Sequence, residues 1–293
     1  MSFFAKATPY LLLVKSRAET LAYAWFTLIG CLLATRGFPQ IIPSTLVAVS
    51  MALITFSVYF YNDVIDADMD RLNPKRRRRP IHSGKASKKE AMRLVYLTAF
   101  SGIVIAMFLN FEIFIICLAW LMLFWAYSYP KIRFKKKAVI KEAVPSIGAF
   151  LSVIIGALAN GSIPPVVFFA GGFISFFMFF AVPAFRDTTD IEEDKLFGVR
   201  SLATILSWKQ RLEMAMLCIL VIMTLTPLTY MNFGFNVIFP IVVVAMSLLI
   251  LRFLFPLMNH LEQVKYEKAI KYVTLYFFIS QFSMIIASIP ILP

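Results

Sequence analysis

Apolar residues occur along this chain in long stretches, with the polar residues gathered between them. Nine stretches stand out, at roughly 18–36, 42–62, 92–109, 111–128, 142–159, 164–186, 212–231, 235–255 and 271–291. A helix needs about 20 predominantly apolar residues to cross a bilayer core. Inside lipid it must satisfy its own backbone hydrogen bonds, so helices are the expected form of each stretch. The run 92–128 reads as two helices, because Asn110 and Glu112 interrupt it where a hairpin would turn. Short connections (Arg36–Gln40, Asn160–Pro165, Met231–Gly234) then fall on one side of the membrane. Long ones (Asp63–Met92, Tyr129–Lys141, Asp187–Arg211, Pro256–Lys271) fall on the other.

Composition agrees with this pattern. Of the 293 residues 60% are hydrophobic and 15% charged, against about 25% charged in soluble domains, and the mean hydropathy is +0.79. A water-soluble fold would leave large apolar patches exposed, so that class is excluded. Cys31, Cys117 and Cys218 all lie inside apolar runs, with neither disulfide nor zinc spacing. The N-terminus has no clean cleavage site and is not expected to be a removable signal. The chain is expected to be one polytopic domain over residues 1–293.

A net charge of +13 would suit a nucleic-acid binder, but its distribution points to topology instead. With the N-terminus on the long-loop side, 28 of the 29 Lys and Arg residues fall there and only Arg36 falls opposite. The positive-inside rule places that side in the cytoplasm, or its archaeal equivalent. No nucleic-acid partner is needed to explain the charge; the bilayer is the expected partner.

The acidic residues carry the chemistry. Nine of the sixteen fall in two short segments, Asn62-Asp63-Val64-Ile65-Asp66-Ala67-Asp68-Met69-Asp70 and Asp187-Thr188-Thr189-Asp190-Ile191-Glu192-Glu193-Asp194. Each closes an apolar span. At about 100° per residue, Asn62, Asp63, Asp66 and Asp70 share one helix face while Asp68 points away. In the second segment Asp187, Asp190 and Asp194 share a face. Like charges four residues apart destabilise a helix, so two such clusters ask for a reason beyond a solvated helix end. Magnesium prefers carboxylate oxygens and bridges one or two of them to substrate phosphates. Facing clusters are what a magnesium-bridged diphosphate would require. Arg17, Arg133 and Lys135 are the candidate basic partners for its phosphate oxygens. Lys88, Lys89, Lys136 and Lys137 read better as topological or interfacial charges.

These residues resemble the UbiA superfamily of intramembrane prenyltransferases. Its N-x-x-x-D-x-x-x-D motif is matched by Asn62, Asp66 and Asp70, with the common extra aspartate at Asp63. Its D-x-x-x-D motif is matched by Asp190 and Asp194, followed by Gly198. Asp70-Arg71-Leu72-Asn73-Pro74, Arg79-Pro80-Ile81-His82-Ser83-Gly84 and Tyr127-Ser128-Tyr129-Pro130 with Arg133 also look like family stretches. The run of four arginines at 76–79 and the histidine at 82 depart from the usual pattern.

The resemblance implies an all-α integral membrane fold, with nine transmembrane helices around a central cavity and cytoplasmic cap loops. It implies Mg2+ held by Asn62, Asp66, Asp70, Asp190 and Asp194, with these four aspartates as the catalytic set. Arg17, Asn62, Asp63, Arg133, Lys135 and Asp187 would bind a polyprenyl diphosphate donor, with geranylgeranyl diphosphate favoured. Loss of diphosphate would leave an allylic cation for a lipophilic acceptor to attack. His82, Asp63 or a second-motif aspartate is available as the base, although an ordinary loop histidine is the plainer reading of His82. The branch containing digeranylgeranylglyceryl phosphate synthase is favoured, with geranylgeranylglyceryl phosphate as acceptor; an aromatic, quinone-pathway acceptor is the alternative. A secondary transporter is the rival from another class, but its acidic residues should lie near the bilayer midplane. A CDP-alcohol phosphatidyltransferase is disfavoured, because no D-G-x-x-A-R stretch occurs.

Overall fold

The computed structural model describes residues 3–70, 76, 79–185, 191–196, 198–258 and 263–290. Among these, every regular element is helical. In chain order they are α1 (Phe3–Lys15), α2 (Ala22–Ala34), α3 (Ile41–Asp70), α4 (Lys88–Leu109), α5 (Phe111–Ser128), α6 (Ile140–Leu158) and α7 (Pro165–Phe180). The short α8 (Val182–Phe185), α9 (Ile191–Leu196) and α10 (Leu202–Ile205) follow, then α11 (Trp208–Thr229), α12 (Ile238–Leu254) and α13 (Gln263–Ser288).

Among the described residues, eight helices are long and apolar enough to cross a membrane, and α2 is a shorter apolar helix beside them. The expected first span, 18–36, therefore splits. A 3-10 turn at Ala18–Leu21 precedes the 13 residues of α2, and just before it Arg17 is buried in an ion pair. Two other spans run longer than expected: the second continues through Asp70 and the last begins at Gln263. Large side chains such as Phe100, Phe108, Phe111, Leu228 and Ile241 are exposed on the helix exteriors. That inside-out surface is what lipid solvates. The chain is a multi-pass integral membrane protein.

Local sequence explains the helix ends. Asn110 is extended, ending α4, and its side-chain oxygen accepts the Glu112 N–H that opens α5. Ser87 with Glu90 and Ser207 with Gln210 form reciprocal caps on α4 and α11. The short connections gather at one end of the bundle. There the Gln40 N–H donates to Asn160 Oδ1 at 2.9 Å, Asn160 Nδ2 donates to Ser44 Oγ at 3.1 Å, and the Asn236 N–H donates to the Ala287 carbonyl at 2.9 Å.

Helix α2 touches α3, α6, α7 and α13. Lipid tails are as apolar as leucine, so helices here associate by close packing and small residues. The α2–α6 crossing is the clearest case. A Cβ on Gly30 would stand 1.9 Å from the Val153 carbonyl oxygen, and one on Gly156 would stand 1.8 Å from that of Thr27. Cys31 Sγ reaches the Gly156 carbonyl at 3.2 Å across the same crossing. Trp120 on α5 likewise donates to the Gly148 carbonyl of α6 at 3.0 Å.

Gly30→Ala and Gly156→Ala should each force α2 and α6 apart. The expected loss lies at or above the upper end of the ~1–3 kcal/mol typical of overpacking. Gly172→Ala, where a Cβ meets nothing within 4 Å, should change stability by less than ~0.5 kcal/mol. Thermal unfolding of the three detergent-solubilised variants checks this, and equal melting temperatures would refute the close crossing.

Candidate active site

Helix α3 has 30 residues. At 1.5 Å per residue it is about 45 Å long, against a hydrocarbon core of ~30 Å. Its final turns therefore overhang the apolar layer, and these turns carry the first acidic segment. Asp63, Asp66 and Asp70 are all buried, at 4%, 7% and 1% exposure. Asp68 faces outward, with its side chain 73% exposed and paired to Lys88 at 2.9 Å. The helical-wheel division of the four aspartates holds in three dimensions.

Buried carboxylates need compensation, and it arrives from three stretches of chain. From before α2, Arg17 forks onto both oxygens of Asp63, with Nε at 2.8 Å from Oδ2. Its guanidinium also lies 5.5 Å from the Tyr59 ring centre. From after α3, Arg79 donates to Asp63 at 3.2 Å and to Asp70 Oδ2 at 2.6 Å, while Arg76 takes Asp70 Oδ1 at 2.5 Å. His82 Nε2 stands 3.5 Å from Asp70 Oδ2, its side chain only 3% exposed. His82 is a loop residue, as its plainer reading has it, and its side chain packs against the acidic face.

The third stretch follows α5. Pro130 follows the C-cap residue Tyr129, and Arg133 takes a left-handed conformation with φ +46°. Its N–H bonds the Tyr129 carbonyl at 2.8 Å. Arg133 Nη2 donates to Asp66 Oδ1 at 3.1 Å. Lys135 Nζ donates to Asp66 Oδ2 and also to Asn62 Oδ1, the latter at 2.9 Å. Ser128 Oγ donates to the same Asn62 oxygen at 2.9 Å. Burial pushes the Lys135 pKa down, while the Asp66 carboxylate pulls it back up.

Of the second acidic segment, Asp187 and Asp190 lie outside the described residues, as does most of the 71–78 stretch. Asp194 is described. Its Oδ2 accepts from Lys141 Nζ at 2.6 Å and from Ser201 Oγ at 3.3 Å. Beyond it the chain turns at Gly198, with φ +64°. There the Arg200 N–H donates to the Lys136 carbonyl at 3.0 Å, and the Leu202 N–H donates to Glu142 Oε1 at 2.8 Å. The segment 133–142 therefore touches both acidic regions, with Lys135 on Asp66 and Lys141 on Asp194.

Sequence reasoning missed Ser128, Lys141, Ser201 and Glu142 as site-organising residues. The signals available were Ser128 inside the Tyr-Ser-Tyr-Pro stretch, and Lys141-Glu142 as a charged pair opening an apolar span.

Among the described residues, no group of three or more His, Cys, Asp or Glu side chains is disposed around one metal position. The donor set is nonetheless all oxygen, from Asn62, Asp66 and Asp70 one helical turn apart. Such oxygens suit a hard divalent cation. One positive charge, the Lys135 ammonium, already bridges Asn62 and Asp66, so those two oxygens do converge on a cation. A pocket of about 380 Å³, lined in part by Tyr61, Tyr96, Trp125 and Tyr129, opens elsewhere on α3, and none of the acidic residues borders it.

Comparison with known proteins follows the same lines. The model of the UbiA prenyltransferase family matches residues 23–281. The digeranylgeranylglyceryl phosphate synthase of Korarchaeum cryptofilum is 30% identical over 198 residues, which is 64% of this chain and 68% of that protein. A solved structure concerned with digeranylgeranylglyceryl phosphate synthase in membranes superposes with a TM-score of 0.77 at 22% identity, covering 97% of this chain and 99% of the other. A UbiA homologue from Archaeoglobus fulgidus, solved bound to GPP and Mg2+, gives 0.67 at 18% identity, covering 94% and 99%. The two superpositions show a shared fold, and the family match extends from α2 into α13. The chain belongs to the UbiA prenyltransferase family and is a membrane enzyme of prenyl transfer.

Proposed function

We propose that the protein moves an isoprenyl chain from a polyprenyl diphosphate, geranylgeranyl diphosphate in our reading, to geranylgeranylglyceryl phosphate, forming an ether lipid. The reaction is magnesium-dependent and takes place on the cytoplasmic side. One observation carries the reading. Around α3, five cationic side chains (Arg17, Arg76, Arg79, Arg133, Lys135) contact three buried carboxylates. Among the described residues, charge balance alone would need three. The surplus suits a polyanion, and a diphosphate with its metal is the polyanion that needs both signs at one place. The relative from Korarchaeum cryptofilum supports the glyceryl phosphate acceptor, and the GPP and Mg2+ bound by the Archaeoglobus fulgidus homologue support the donor class and the metal.

Asn62, Asp66 and Asp70 would hold the metal together with Asp190 and Asp194. When bound, magnesium neutralises charge on the diphosphate and makes it a better leaving group. Arg133, Lys135 and Arg17 bind and orient the phosphate oxygens. The C1–O bond of the donor breaks, and its electron pair leaves with the diphosphate. The acceptor hydroxyl oxygen bonds to C1 and gives up its proton, for which Asp63, a second-motif aspartate or His82 is the available base. Apolar helices keep water from the electron-poor carbon. The positive-inside distribution of Lys and Arg supports the cytoplasmic placement.

Three outcomes are expected. Asp66→Ala should abolish formation of prenylated product from labelled geranylgeranyl diphosphate, whereas Asp68→Ala, on the outward face, should retain most of it; equal losses would sink the metal assignment. Arg133→Ala should lower turnover by ~10²–10³-fold, as for a donor acting on developing charge, and weaken donor binding less. Pyrophosphate should appear in step with product when the acceptor is geranylgeranylglyceryl phosphate. Magnesium-independent movement of unaltered substrate across sealed vesicles, with no pyrophosphate, would establish a transporter instead.

A further inference from the structure

Both ligand oxygens of Asp66 are engaged, but in different ways. Arg133 approaches Oδ1 from its own side. Lys135 reaches Oδ2 and Asn62 Oδ1 together. Asn62 and Asp66 are one helical turn apart, and a divalent cation held by both would occupy the position now taken by the ammonium. The Lys135 ammonium can only donate, so it selects the Asn62 carbonyl oxygen over the nitrogen, and the Ser128 hydroxyl donates to that same oxygen. The Lys135 side chain is 14% exposed. The Lys88–Asp68 pair, by contrast, lies in the open with both partners largely exposed.

We propose that Lys135 is a resident counter-cation, holding Asn62 and Asp66 in their metal-binding arrangement until a diphosphate arrives and then transferring to the phosphate oxygens. This rests on the metal and diphosphate reading above. The argument is electrostatic. An ammonium and a divalent cation crowded onto the same two oxygens repel each other, so metal binding to the free protein displaces Lys135. The expelled charge then sits in a poorly solvated place beside the Arg133 guanidinium. A diphosphate removes that obstacle by giving the ammonium a new partner. Lysine suits the exchange, because its ammonium is a compact charge on a flexible four-carbon stem, whereas an arginine fork is geometrically committed. Metal and diphosphate therefore bind with positive coupling, and by linkage each strengthens the other equally.

Removing the ammonium should shift the two affinities in opposite directions, which a merely structural lysine would not do. The test uses the full chain in detergent. Mn2+ binding is followed by the EPR signal of free Mn2+, and retention of labelled inorganic pyrophosphate is measured with Mn2+ present. Lys135→Met should bind Mn2+ alone at least tenfold tighter than the wild type, yet retain pyrophosphate several-fold more weakly. Lys135→Gln, which keeps a hydrogen bond to Asn62 without the charge, should shift both in the same directions. Lys88→Met should match the wild type in both. If the wild type retains pyrophosphate with Mn2+ and Asp66→Asn does not, but neither Lys135 variant binds Mn2+ more tightly, the counter-cation role is wrong and the proposed function stands. If the wild type retains none, or Asp66→Asn retains it equally, the metal and diphosphate reading falls and this inference falls with it.

Discussion

Three carboxylates buried at the end of one helix dictate how the surrounding chain is arranged. Removing an ion from water costs several kcal/mol even after relaxation, and breaking one side of a buried pair costs about 3–5 kcal/mol. Asp63, Asp66 and Asp70 must therefore draw cations from wherever the chain can supply them. Arg17 comes from before α2, Arg76 and Arg79 from after α3, and Arg133 and Lys135 from after α5. The shortened α2 and the left-handed turn at Arg133 accompany these contacts. Lys141 extends the same network to Asp194. A single electrostatic demand thus joins segments that also pack through a small apolar cluster, with Leu13, Phe60, Ala67, Ile81 and Ala86 buried together.

The membrane part answers a different constraint. In lipid there is no hydrophobic gain from bringing helices together, so position is set by backbone approach and by a few buried hydrogen bonds. Gly30 and Gly156 let α2 and α6 meet backbone to backbone. Trp25 donates to Gln281 at 2.7 Å between α2 and α13, and Ser247 and Tyr276 join α12 to α13 at 3.0 Å. Such contacts fix the helices along their length and leave the overhang of α3 at a defined height. The polar end can then be adaptable, as an exchange of cations requires, because the apolar end is not.

The spans were legible because the bilayer prescribes their length, and the α4–α5 turn was legible because Asn110 is a polar helix-stop inside an apolar run. The acidic face could be read too, since 100° per residue separates Asp68 from Asp63, Asp66 and Asp70. That wheel assumes helix to residue 70, which the apolar pattern, ending near residue 62, does not itself supply. Carboxylates four apart argue against a helix in isolation, and the compensating charges are remote in sequence. For the same reason Ser128 and Lys141 were not singled out: Asn62 is 66 residues from Ser128, and Asp194 is 53 residues from Lys141. Local pattern gives no weight to partners at that separation. His82 is a loop residue as read, but its contact with Asp70 was out of reach of local pattern for the same reason.

The position of the charge also separates the candidate chemistries. A transporter needs its ionisable groups where substrate crosses, near the bilayer midplane and on broken helices. Here the buried carboxylates sit on an unbroken α3 beyond the span proper, and the buried polar groups within the bundle are neutral ones such as Gln281, Ser247 and Ser280. Among the described residues, an ion passing between these helices would find buried charge only near the helix ends. A molecule with a charged head and an apolar tail would find both environments at once, the head among the five cations and the tail among apolar side chains. Surface capture of an amphiphile follows from that geometry, and prenyl transfer at the junction of the two environments needs nothing to cross.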